Sequence, residues 1–140
     1  MSLSKKFPPN SPCPCGSNKK FKKCCKVFHD GQFPKNALEL MKSRYSAYVV
    51  GNSEYIIKTT HKSNNDFTND TKTWKNSIEE FSYYSEFKSL EILDFIDGES
   101  EAYVTFRANI FQDNNDVSFT EKSRFLKEND FWLYVNAEFL

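Results

Sequence analysis

The sequence predicts an α+β fold: three helices, then a four-stranded antiparallel meander, with a small metal knuckle at the N-terminal end. Three observations carry this. Apolar residues recur at helical spacing between residue 36 and about residue 84. Beyond residue 87 the hydrophobic period becomes two. All four cysteines fall within residues 13–25, and the 115 residues that follow contain none. A length of 140 residues suits one core of ordinary size. The 14 Phe, 7 Tyr and 2 Trp favour a sheet-rich interior, because rings pack well on a pleated surface.

The knuckle comes first in the chain. CPCGSNKKFKKCC has the spacing C-x-C-x8-C-C from Cys13, Cys15, Cys24 and Cys25. Four clustered cysteines in a reducing compartment read as a metal site. Zinc takes four thiolates at tetrahedral corners, and two pairs flanking a short loop supply them. Pro12 and Pro14 stiffen the entry, and Gly16-Ser17 offers a tight turn. Two disulfides would need an oxidising compartment, and a bridge between neighbours Cys24 and Cys25 would be strained. An iron–sulfur cluster is the minor alternative, without the usual ferredoxin spacing. With all four ligands used, no position remains for water, so a zinc here is structural rather than catalytic. Lys19, Lys20, Lys22 and Lys23 surround the ligands; they offset thiolate charge and form a candidate partner-binding patch.

The helices follow. NALELMKSRYSAYVVGN places Leu38, Met41, Tyr45 and Tyr48 on one face, with Asn36 as cap and Gly51-Asn52 as stop. SEYIIKTTH reads as a short second helix capped by Ser53, with Glu54 in its first turn. After a polar turn-rich stretch, a third helix over roughly 70–84 carries Trp74, Ile78 and Phe81, capped by Asp70. FKSLEILDFID is an imperfectly alternating strand, consistent with a bulge. DGES signals a hairpin into AYVTFRANIF, where Ala102, Val104, Phe106, Ala108 and Ile110 share one face. DNND leads to a third strand, VSFTEKSRFLKEN, and END turns into the fourth, FWLYVNAEF. Residues 1–30 are expected to form the metal-binding segment and 31–140 the α+β domain, with 26–35 as linker.

Two resemblances add to this. CPCGSNKKFKKCC resembles the SEC-C motif, a zinc-binding module found at the C-terminal end of the secretion motor ATPase and in many unrelated proteins. The resemblance implies zinc ligation by Cys13, Cys15, Cys24 and Cys25, with Phe21 in the aromatic place. Along most of its length the chain resembles the bacterial YchJ-like family, a SEC-C motif ahead of a domain of nuclear-transport-factor-2-like fold. Leu40, Met41, Ser43, Arg44 and Tyr45 match its L-M-x-S-R-Y, and Ser123, Arg124 and Phe125 its S-R-F. Thr60-His61 occupies the T-W-H place with Thr60 where tryptophan usually stands, and Asn136-Ala137 replaces the usual aspartate–glycine. The implied fold is a curved sheet wrapped round helices, a cone whose mouth often binds a small molecule.

Within the cone, Glu121 alternates with Ser123 and Phe125 on one side of its strand. If that side lines the interior, Arg44 and Glu121 meet, either as a structural ion pair or as a pocket pair. His61 with Asp66, and Glu121, are the weak catalytic candidates; a helix-end histidine interacting with the helix dipole is the plainer reading. Trp74, Phe119, Trp132 and Tyr134 are candidates for a pocket wall or plain core.

The formal net charge is zero, yet residues 1–30 hold seven lysines and one aspartate while the remainder carries 12 basic and 18 acidic residues. A basic head on an acidic body favours a binding module whose knuckle docks on a protein partner, with nucleic acid as the weaker option. The second class is an enzyme or small-molecule binder using the cone; no P-loop or nucleophile elbow exists, so the balance leans away from an enzyme. MSLSKKFPPNSP has no apolar run behind its lysines, so no signal peptide is expected. No stretch approaches the roughly 18 apolar residues of a membrane span, and the expected compartment is the cytoplasm.

Overall fold

A computed structural model describes residues 7–140. It contains four helices, α1 (Cys25–His29), α2 (Ala37–Val50), α3 (Ser53–Lys58) and α4 (Thr71–Tyr84). They precede five strands, β1 (Glu86–Ile96), β2 (Glu101–Gln112), β3 (Asn115–Asp116), β4 (Phe119–Glu128) and β5 (Phe131–Phe139). The sheet is antiparallel with order β1-β2-β4-β5, and β3 pairs with β2 beside this path.

Local chemistry sets most boundaries. Asn36 sits in extended backbone, and its side chain accepts the Glu39 N–H at 2.9 Å; Glu39 reaches back to the Lys35 N–H. Gly51 ends α2 at φ 76°, a left-handed cap that a Cβ would strain. Asp70 caps α4 through Thr73. The cap of α3 is Asn52, which accepts from the Tyr55 N–H, rather than the expected Ser53. Ser53 lies inside the helix and is buried, with its hydroxyl directed to Glu79.

The structure holds one more helix and one more strand than expected. At five residues α1 is too short to show a hydrophobic period, and it occupies the first half of the segment read as linker. The β3 ladder is two residue pairs long. It follows a tight turn with positive φ at Asp113 and Asn114, which Asn and Asp tolerate well. Val117 and Ser118 interrupt the strand before β4, and the Ser118 hydroxyl accepts the Ile110 N–H in place of a backbone carbonyl. A second positive-φ pair, Asn129 and Asp130, makes the β4–β5 turn.

Irregularities curve the sheet. Register shifts occur at Phe87/Ser89 and Ile92/Asp94 in β1, and between Arg124 and Phe125 in β4. On the inner face, Ala102, Val104, Phe106, Ala108 and Ile110 of β2 are all buried, as their alternation requires. Against them lies α2, buried on more than the expected stripe. Met41 and Tyr45 are buried and Leu38 and Tyr48 partly so, but Ser43 and Ser46 are fully buried as well. The reason is position: α2 touches α1, α3, α4 and strands on different sides. Small hydroxyl residues let its second face approach closely, and the Ser43 hydroxyl bonds to the Leu40 carbonyl and to the Tyr55 phenol. Among the described residues no helix is long and apolar enough to cross a membrane.

Candidate metal centre and cone cavity

The knuckle is built by a short loop folded on itself. Residues 11–13 run beside 19–21, with Cys13 N–H donating to the Lys19 carbonyl at 2.8 Å and Phe21 N–H to the Ser11 carbonyl at 2.9 Å. Positive φ at Gly16 (85°) and Asn18 (68°) closes the turn between them. A 3-10 turn over Phe21–Lys23 then places Cys24, and Cys25 opens α1. The four Sγ atoms lie within 4.8 Å of one another. Cys15 and Cys24 Sγ are 3.6 Å apart. A tetrahedron with metal–sulfur bonds of about 2.3 Å has edges of roughly 3.8 Å, so the arrangement fits one ion. None of the four forms a disulfide.

Without a cation these sulfurs cannot all ionise. The closeness of the Cys15 and Cys25 sulfurs holds the Cys13 thiol well below the usual range. The same contact pushes Cys15 up to about 11, and pushes Cys25 up, with burial adding to both. A divalent ion removes the conflict, since it binds thiolates and releases their protons. Lys19, Lys20, Lys22 and Lys23 are exposed, and among the described residues none has an ion-pair partner.

The knuckle is seated on α2. Cys13 Sγ lies 3.6 Å from the Ser46 hydroxyl, and Ser17 Oγ is 3.1 Å from Cys24 Sγ. His29 is not among the clustered donors. Its Nε2 bonds to the Ser43 carbonyl at 2.8 Å, and its ring packs between Phe21 and Tyr55. Burial lowers its pKa, so it acts as a neutral strut between knuckle and body.

The second feature is a cavity of about 560 Å³ between α2, α4 and the sheet. Arg44 and Glu121 both line it and both are 8% exposed. They do not form the expected ion pair. Arg44 turns Nη1 toward the end of α3, donating to the Ile56 carbonyl (3.1 Å), Thr59 Oγ1 (2.7 Å) and Thr60 Oγ1 (3.1 Å). Its guanidinium stacks over the Tyr134 ring at 4.6 Å. Glu121 accepts from the Ser123 hydroxyl at 2.5 Å. Burial raises the Glu121 pKa, and the Ser123 bond and the more distant Arg44 charge offset only part of that.

The sign of the resulting pH effect follows. A carboxyl whose pKa rises on folding stabilises the fold below its unfolded value, and that contribution is lost as pH rises through the folded value. Glu121→Gln, which stays neutral, should therefore melt above the parent at pH 7. The gap should close as pH falls to the ordinary carboxylate range, as thermal melts across pH 4–7 would record.

His61 and Asp66 do not pair. His61 Nδ1 accepts from the Ser63 N–H and lies 2.8 Å from its hydroxyl, so Nε2 carries the proton and donates to Glu128 at 2.8 Å. With both ring nitrogens engaged and no part in lining the cavity, His61 clips its loop to the β4–β5 hairpin. Asp66 is exposed and reaches the cavity rim. Of the four aromatic candidates, Trp74, Phe119 and Tyr134 line the cavity, whereas Trp132 lines a separate space of about 420 Å³ beside Phe33 and Phe131. The sequence reading missed Thr59 and Thr60 as acceptors for Arg44, and the Tyr48 phenol in the cavity. Thr59-Thr60 at a helix end was the available signal, since such hydroxyls commonly bond to backbone and neighbours there.

Fold and site together define a class: an antiparallel cone with buried polar groups, carrying a four-cysteine knuckle on its central helix. Comparison with known proteins agrees. The family model described as YchJ, middle NTF2-like domain, matches residues 36–137, and the SEC-C motif matches 10–26. A UPF0225 protein of Vibrio parahaemolyticus is 36% identical over 132 residues, spanning 92% of this chain and 75% of its own. One from Streptomyces coelicolor is 35% identical over 136 residues, spanning 94% and 98%. The solution structure of a SEC-C motif containing protein from Rhodopseudomonas palustris superposes with a TM-score of 0.80 at 26% identity, covering 93% of this chain and 99% of that one. The chain belongs to this YchJ-like family, whose curated members are named UPF0225.

Proposed function

We propose that the chain is a zinc-stabilised binding protein whose basic knuckle docks on an acidic protein partner. The observation that carries this is the placement of Lys19, Lys20, Lys22 and Lys23, exposed and without internal ion pairs, around a closed four-cysteine cluster. Zinc is the ion most often held structurally by an all-thiolate tetrahedral set. Zinc with four thiolates carries a formal charge of −2, so four ammonium groups leave the knuckle net positive. Lysines act as point charges that recognise an acidic surface with little sequence reading, and no base-stacking aromatic stands exposed among them, which favours protein over nucleic acid.

Replacing all four lysines with glutamine tests this on protein loaded with zinc to the parent's content. Capture of the partner should be lost, and capture by the parent should fall with added salt. Capture that survives the replacement would contradict the docking reading.

A second reading concerns the cone. Its cavity lies in the size range of small-molecule sites, and it holds a buried arginine and a buried carboxyl that do not satisfy each other. That favours a ligand site there. Glu121, oriented by Ser123, is the cavity's candidate acid–base group, but His61 is engaged elsewhere and, among the described residues, no second titratable group hydrogen-bonds to Glu121, so binding is preferred to catalysis.

A further inference from the structure

The polar end of the cone cavity indicates what a ligand there must carry. Four groups converge on it: Arg44 and Tyr48 from α2, Glu121 from β4 and Tyr134 from β5. Arg44 spends Nη1 on three protein acceptors, and its Nε and Nη2 have no partner among the described residues. The Tyr48 and Tyr134 phenols likewise have none, and all of these atoms keep some accessible surface in residues that line the cavity. Glu121 has one oxygen on Ser123 and the other without a partner.

Charge then narrows the choice. One guanidinium and one carboxyl stand at the same end without touching, and Asp66 adds a carboxylate at the rim. An anion gains Arg44 but meets Glu121 and Asp66. A cation gains the carboxyls but meets Arg44. A purely apolar occupant leaves Arg44 Nε and Nη2 and the second Glu121 oxygen desolvated without partners, which is costly. A neutral molecule with an acceptor beside a donor satisfies both, the acceptor toward Arg44 and the phenols, the donor toward Glu121. Trp74, Phe106 and Phe119 line the rest of the space with aromatic rings, an apolar surface that suits a ring compound.

The geometry points to a neutral ring compound bearing adjacent C=O and N–H groups, an aryl or cyclic amide, as the ligand class of the cone. This rests on the reading of the cone as a ligand site. Four matched one-ring probes test it on the full-length, metal-loaded protein: benzamide, benzoate, benzylammonium and toluene, each titrated against the 15N-labelled chain. Benzamide should shift amides of cavity residues such as Tyr48 and Ser123, and bind at least about tenfold more tightly than each of the other three, which corresponds to about 1.4 kcal/mol. Glu121→Leu should erase that preference and leave toluene binding intact or improved. If benzoate, benzylammonium or toluene binds as well as benzamide, the ligand class is wrong while the cone remains a pocket. If no probe shifts cavity residues, the pocket reading and the ligand class fail together.

Discussion

Substituting Cys25 with serine should release the knuckle from the body and abolish metal retention. Cys25 is 2% exposed, opens α1 and belongs to the sulfur cluster. Among the described residues, the segment before it has no core of its own beyond Phe7, Phe21 and the cysteines. In such small modules the metal supplies most of the folding energy, with apparent binding free energies of about 10–16 kcal/mol in zinc-finger peptides. Loss should spread into the body, because His29 and Cys13 contact Ser43 and Ser46 on α2. We expect a fall in Tm on the order of 10 °C, roughly 3 kcal/mol at this chain length. Hydrogen exchange should show residues 7–29 unprotected while β2 and β4 stay protected. A chelator acting on the parent protein should give the same pattern. An unchanged melt after the substitution would mean that the cluster does not hold the knuckle together.

Arg44→Met should cost about 3 kcal/mol. Methionine refills much of the volume, so the loss reports the guanidinium itself. Three hydrogen bonds from a charged donor tie α2 to the end of α3, and bonds to charged groups contribute about 1.5–3 kcal/mol each in favourable cases. The threonine hydroxyls keep other partners, donating to the Tyr55 and Ile56 carbonyls, so the total stays below the sum. Arg44→Lys should recover only part, because an ammonium has donors for these acceptors but cannot stack as a plane over Tyr134. Chemical denaturation of both variants would measure this. A methionine variant as stable as the parent would show that Arg44 is held for the cavity and not for the fold.

The contrast between these two sites explains what the sequence alone could reveal. The cysteine cluster was legible because its ligands lie within thirteen residues and thiolates have few other uses together. The helix caps Asn36 and Asp70, and the alternation from Ala102 to Ile110, were legible for the same reason, since each is decided by neighbours a few positions away. Arg44 and Glu121 were placed in one interior, but their partners were not. Thr59 is fifteen positions from Arg44, and which side of α2 faces α3 depends on packing rather than on period. His61 likewise found Glu128, 67 positions away across the β4–β5 hairpin, instead of the nearby Asp66. His29 and α1 lacked any local pattern, yet they fasten the knuckle to the body.

Native mass spectrometry of protein purified without added metal or reductant decides whether the four cysteines hold zinc. One species is expected, the chain plus a single zinc ion, with all four cysteines reduced and the ion lost on acidification. A chain carrying intact disulfides and no ion would contradict this expectation.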